Sequence, residues 1–207
     1  MNAREVLSLS PVMPVLAVED ADVAADLAQA LYNGGIRTLE ITLRTPCALA
    51  AISRIRQVLP DAVVGAGTVL DETQLRAAVD AGAQFIISPG IYPAFAEAAA
   101  RAAVPVIPGV ATAGELMLAL AHGLDTCKLF PAEAVGGRAL LQAWHGPFPQ
   151  AAFCPTGGIS AETAPDYLRL PNVLCVGGSW LAPKAAVAAR DWETISRLAR
   201  EAAALRT

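Results

Sequence analysis

The stretch "VPVIPGV", residues 104–110, contains no polar side chain. A strand wet on one face alternates apolar and polar residues, whereas an unbroken apolar run between turn residues fits a strand covered on both faces, as in a parallel sheet. The runs "FIIS" (85–88) and "VLCVGG" (173–178) have the same character. Working outward, β-branched apolar runs begin near residues 12, 38, 63, 85, 104, 126, 151 and 173, and an Ala/Leu/Glu/Arg-rich stretch of helical character follows each.

Helix start signals agree with that alternation. Asp20 opens the first helix, Thr45 precedes Pro46 in a first-turn position, Asp71 is followed three residues on by Gln74, and Thr112 by Glu115. Eight strand–helix units in 207 residues, with no Gly/Ser linker or charge block, predict a single (β/α)8 TIM barrel domain over residues 1–207, near the lower size limit of that α/β fold. A doubly wound open sheet is the runner-up. Against it, "GAGTVL" (65–70) lacks the third glycine of a dinucleotide fingerprint, and no acidic ribose partner follows at the usual distance.

Composition excludes several classes of function. A net charge of −4 offers no basic footprint for nucleic acid or an anionic membrane, although a small anion could bind locally. The longest apolar stretch, residues 94–114, is broken by Glu97, Arg101, Pro105 and Pro108 and is too interrupted to span a bilayer. The first twenty residues carry no small-residue cleavage site, which predicts a cytoplasmic location. Cysteines 47, 127, 154 and 175 form no CxxC pair, and His122 and His145 stand alone, so neither a metal site nor a disulfide scaffold is expected. Three of those cysteines lie in apolar runs, as buried thiols serving as small hydrophobes.

Strand periodicity sorts the chemistry-bearing residues. In "TLEITLRT" (38–45), Leu39, Ile41 and Leu43 share one face, leaving Glu40, Thr42 and Arg44 on the other. An internal Glu40–Arg44 ion pair would account for both charges. In a barrel, however, that face is the interior near the C-terminal mouth, where active sites lie. In "DTCKLFPAE" (125–133), Thr126, Lys128 and Phe130 point inward between Cys127 and Leu129. Only one other lysine exists, Lys184, beside Pro183 beyond the last strand and read as a solvated charge. Burial and a nearby cation both favour a free amine over an ammonium, and a free amine is the nucleophile of Schiff-base chemistry. Glu40 is the inward carboxylate available for proton transfer. The turns "PTGGIS" (155–160) and "VGGSW" (176–180) follow the last two strands, where glycine lets backbone N–H groups approach an anion such as phosphate.

Together, "PVMPVL", "LEITLRT", "VGAGTVL", "AQFIISPG", "VIPGVAT", "KLFPAEA", "CPTGGIS" and "VGGSWL" resemble, in order and nearly end to end, the 2-keto-3-deoxy-6-phosphogluconate (KDPG) aldolases, which also act on 4-hydroxy-2-oxoglutarate. The resemblance implies a metal-free, cofactor-free class I aldolase, trimeric, in the Entner–Doudoroff route, cleaving a phosphorylated keto acid to pyruvate and glyceraldehyde 3-phosphate. Under it, Lys128 forms the Schiff base and Glu40 shuttles protons. Arg44 and Thr68 hold the pyruvate carboxylate, Pro89 and Phe130 shape the pyruvate pocket, and Thr156 meets substrate hydroxyls. Gly157, Gly158, Gly177, Gly178 and Ser179 surround the phosphate. Leu129 departs from the family's usual phenylalanine, on the face turned away from the chemistry. Phosphogalactonate aldolases resemble the chain less, lacking "TLRT" and the threonine before Gly-Gly. Two rival readings remain: a non-covalent phosphate-binding barrel isomerase or synthase, with Lys128 as a charge clamp, and a catalytically silent binding module.

Overall fold

A computed structural model describes residues 1–205. The strands are β1 (Val12–Leu16), β2 (Thr38–Thr42), β3 (Val63–Gly67), β4 (Ile86–Ile87), β5 (Val106–Ile107), β6 (Gly109–Val110), β7 (Thr126–Leu129), β8 (Ala152–Pro155) and β9 (Val176–Gly178). All pair in parallel, in two sheets of order β5-β4-β3-β2-β1-β9 and β6-β7-β8. The fold is therefore α/β on parallel strands, as the unbroken apolar runs require.

The run at 104–110 becomes two strands because Pro108 has no N–H to give a ladder. Its carbonyl still accepts from Lys128 N–H at 2.8 Å, so β7 lies alongside the break. Between β8 and β9 the contact is reduced to isolated parallel bridges, Phe153 with Val173 and Thr156 with Gly177. The run that starts at 173 accordingly becomes a strand only at Val176.

The helices are α1 (Ala3–Ser8), α2 (Ala21–Asn33), α3 (Ala48–Val58), α4 (Glu72–Asp80), α5 (Pro93–Ala100), α6 (Ala113–Ala121), α7 (Gly137–His145), α8 (Ala164–Leu168), α9 (Lys184–Ala188) and α10 (Trp192–Ala203). Asp20 caps α2, Asp71 caps α4, and Thr112 with Glu115 forms a capping box on α6, as expected. Thr45 does not cap α3. The helix starts two residues later than the Pro46 signal suggests, behind Cys47, because the Thr45 hydroxyl donates instead to the Val18 carbonyl at 2.5 Å.

Helix α1, which precedes the Asp20 start, has no counterpart in the sequence reading. Asn2 and Glu5 cap it reciprocally, and it buries Val6 and Leu7 fully. Those two side chains pack with Met13, Val63, Phe85, Ile87, Ile107, Cys154 and Cys175, the residues on the strand face opposite the helices. Full burial of such side chains is worth roughly 1.5–3 kcal/mol each. Leu39, Ile41, Val64, Ala66, Cys127 and Leu129 pack on the other side, in the helix-covered core. The alternation predicted for β2 and β7 thus holds, Leu129 included.

Candidate active site

Glu40 and Lys128 meet across the fold. Lys128 Nζ donates to Glu40 Oε1 at 3.2 Å, and their side chains are 5% and 1% exposed. Neighbouring residues make this space. Glycine at 67 is required by the carboxylate: a Cβ there would lie 2.5 Å from Glu40 Cγ and 2.6 Å from Cδ. Glycine at 65 is likewise filled by the ring of Phe85, which walls the same face. Lys128 Nζ also lies 5.2 Å from the centre of the Phe130 ring, within cation–π range. The Glu40–Arg44 ion pair considered from sequence does not form. Arg44 is exposed, and its Nε donates to Thr68 Oγ1 at 3.1 Å.

Thr68 adopts φ +57°, a conformation that costs a β-branched residue free energy and is typical of functional sites. Pro89 lies against the backbone of Gly109, where no Cβ could be accommodated. Beside the buried pair, Cys154 is the register partner of Lys128, and two residues on along the same face stands Thr156. Thr156 is buried and packs against Gly177, whose missing Cβ leaves room for it.

Outside this pair opens a cleft of about 1020 Å³ lined by Arg44, Thr156, Gly157, Gly158, Gly177, Gly178 and Ser179. Gly157 and Gly158 take φ +105° and +82°, which only glycine adopts freely. Both Gly-Gly pairs therefore face one cavity, but only Gly157–Gly158 is a turn after its strand: Gly177 and Gly178, expected to follow the last strand, are the final residues of β9 itself, in register with Met13 and Pro14. Lys184 is exposed, as expected of a surface charge, yet it also stands in the wall of this cleft.

The sequence model of the KDPG and KHG aldolase family matches residues 3–198. The chain belongs to that family. It is 51% identical over 201 residues to the KHG/KDPG aldolase of Escherichia coli K12, covering 97% of this chain and 94% of that protein. It is 51% identical over 203 residues to the 2-dehydro-3-deoxy-phosphogluconate aldolase of Dickeya dadantii, with 98% and 95% covered. Among solved structures, a KDPG aldolase from Legionella pneumophila, with pyruvate captured at low pH as a covalent carbinolamine intermediate, superposes with a TM-score of 0.96 at 44% identity and 98% coverage of both chains.

This aldolase therefore brings its sequence-predicted residues into two adjoining sets: buried Lys128 and Glu40 with half-buried Phe130 beside the amine, and Arg44, Thr156 and the four glycines with Ser179 around the cleft. The Arg44–Thr68 hydrogen bond ties the rim to β3. Sequence reasoning missed the part played by Gly67, treating "GAG" as a weak cofactor signal. The available signal was that two glycines two residues apart leave one strand face empty, ready for bulk from neighbouring strands. It also passed over Glu133, in the quoted "KLFPAE", and Tyr167. Their hydroxyl–carboxylate contact of 2.5 Å lies directly behind Gly158.

Proposed function

We propose that this aldolase cleaves 2-dehydro-3-deoxy-6-phosphogluconate to pyruvate and glyceraldehyde 3-phosphate through a Schiff base on Lys128, and accepts 4-hydroxy-2-oxoglutarate by the same chemistry. The observation that carries this reading is the buried Lys128 amine 3.2 Å from the buried Glu40 carboxylate, with an anion-receptive cleft beside them. A solved relative named as a 4-hydroxy-2-oxoglutarate/KDPG aldolase, 40% identical with a TM-score of 0.89, supports the wider substrate range.

Proton transfer from Lys128 to Glu40 frees the amine lone pair, which attacks C2 of the substrate to give a carbinolamine; Glu40 returns that proton to the departing hydroxyl, and loss of water leaves the iminium with Glu40 again a carboxylate. Glu40 then accepts the proton of the C4 hydroxyl as the C3–C4 bond breaks. The bonding pair moves into the iminium, which becomes an enamine, and glyceraldehyde 3-phosphate leaves as the aldehyde. Protonation of the enamine carbon and hydrolysis of the imine release pyruvate and restore Lys128. General acid–base help of this kind is worth about 10²–10⁴-fold. Arg44 and Thr68 receive the pyruvate carboxylate, Pro89 and Phe130 border the pyruvyl carbons, Thr156 meets the hydroxyls, and Gly157, Gly158, Gly177, Gly178 and Ser179 take the phosphate.

The wider setting belongs to the same proposal. The described residues are read as one eight-stranded (β/α)8 barrel domain; the pairing of β5 with β4 and of β6 with β7 on either side of Pro108 and the isolated bridges beside β8 and β9 support that reading. The buried thiols of Cys127 and Cys154 fit the reducing cytoplasm. A homotrimer working in the Entner–Doudoroff route follows from family resemblance.

The test is borohydride trapping with pyruvate, followed by peptide mapping. A reduced adduct on Lys128, absent in Lys128→Ala and retained in Glu40→Gln, is the expected result. No adduct, under conditions that label another class I aldolase, refutes the covalent mechanism.

A further inference from the structure

Gly158 is open to the cleft on one side and backed by Glu133 on the other. A Cβ on Gly158 would lie 2.6 Å from Glu133 Cγ, so the glutamate's methylenes fill the space that a side chain would take. The two segments are also tied through the backbone: Ala132 N–H donates to the Thr156 carbonyl at 2.8 Å, and Glu133 N–H to the Gly157 carbonyl at 3.1 Å. The segment after β7 is thus the bed on which the Gly157–Gly158 turn rests.

What fixes the bed is Tyr167 on α8. Its ring is 1% exposed, and its hydroxyl donates to Glu133 Oε1 at 2.5 Å. Glycine at 137, at the start of α7, leaves room for that hydroxyl, since a Cβ there would collide with it. Two glycines on different elements therefore accommodate a single tyrosine–glutamate contact. Burial, and then the adjacent Glu133, push the phenol above its ordinary value, so it stays a hydrogen-bond donor throughout the working pH range.

An anion site with a carboxylate behind it poses an electrostatic problem. A carboxylate free to swing toward the Gly157–Gly158 turn would repel phosphate, and like charges at such range disfavour one another strongly. A donor on the far side holds the negative oxygen away from the turn and fixes the methylenes beneath it, using one charge-assisted hydrogen bond. We infer that Tyr167 and Glu133 are positioning residues for the substrate phosphate: the phenol anchors the glutamate, and the anchored glutamate sets the Gly157–Gly158 turn in its phosphate-receiving form. This rests on the phosphate assignment proposed above.

The test compares Tyr167→Phe, which keeps the ring and its packing, with the unaltered enzyme on two substrates. For the phosphorylated hexonate, KM rises about tenfold at nearly unchanged kcat, the scale of one lost charge-assisted hydrogen bond. For 4-hydroxy-2-oxoglutarate, which has no phosphate, neither constant moves. Glu133→Gln keeps an acceptor for the phenol without the charge, and so retains normal KM values, whereas Glu133→Ala behaves like Tyr167→Phe. Binding of inorganic phosphate, followed by calorimetry, weakens in parallel in Tyr167→Phe; this readout needs no turnover and stands even if the aldolase reading fails. Equal rises of KM on both substrates, or no change in phosphate binding, overturn the inference.

Discussion

Replacing Gly67 by alanine adds one carbon atom on the face of β3 that meets Glu40. That atom meets Glu40 Oε1 most closely and falls 2.5 Å from Cγ and 2.6 Å from Cδ, where ordinary contact begins near 3.4 Å, so the glutamate must retreat by about 1 Å or more. No backbone obstacle intervenes, because Gly67 is not among the residues with positive φ. At 1% exposure Glu40 has no solvent to move into, and its displacement is taken up at Lys128, 3.2 Å away. Misplacing a catalytic group by 1 Å costs on the order of 10²-fold in rate, and overpacking costs about 1–3 kcal/mol of stability. In a coupled assay for glyceraldehyde 3-phosphate, Gly67→Ala should therefore lose about a hundredfold in kcat, while borohydride still traps pyruvate on Lys128. Gly90→Ala is the control, since a Cβ there meets nothing within 4 Å. A folded Gly67→Ala enzyme with kcat within about threefold of the unaltered one would refute the idea that the carboxylate's position governs turnover.

Three other expectations follow from single features. Arg190 holds φ +53°, so Arg190→Gly should stabilise the fold by about 1 kcal/mol, read as a higher melting temperature. Burial, with Asp125 nearby, pushes the Cys127 thiol up to about 12, so an aromatic disulfide reagent at pH 8 should label half-buried Cys47 and spare Cys127 until the protein is unfolded. Asp191 caps α10 with its carboxyl held below the usual 3.8 by Thr194, so its contribution is full above that value and lost as pH falls through the depressed folded value. Acid unfolding of Asp191→Asn should accordingly show a weaker pH dependence below 3.8 than the unaltered chain.

Much of the site was legible because a strand's period of two is a local property. Leu39 and Ile41 named the covered face of β2, and Glu40 was left on the other; Cys127 and Leu129 did the same for Lys128. Capping at Asp20, Asp71 and Thr112 was equally local. Thr45 misled because its hydroxyl has a rival acceptor, the Val18 carbonyl, 27 residues away in the chain. Helix α1 escaped notice because six residues carry too little periodicity, and its two buried side chains gain their meaning only from strands that follow later.

The sequence by itself determined the parallel α/β class, the strand faces that carry Glu40 and Lys128, and the Gly157–Gly158 turn that follows β8, since each depends on residues within one element. Only the tertiary structure decided that Glu40 pairs with Lys128, 88 positions away, and not with Arg44 on its own segment. It alone also showed that Gly67 exists to admit that carboxylate and that Tyr167 reaches Glu133 behind the Gly157–Gly158 turn. Periodicity tells a side chain which way to point; what it meets there is set by strand register and by volumes supplied from distant parts of the chain.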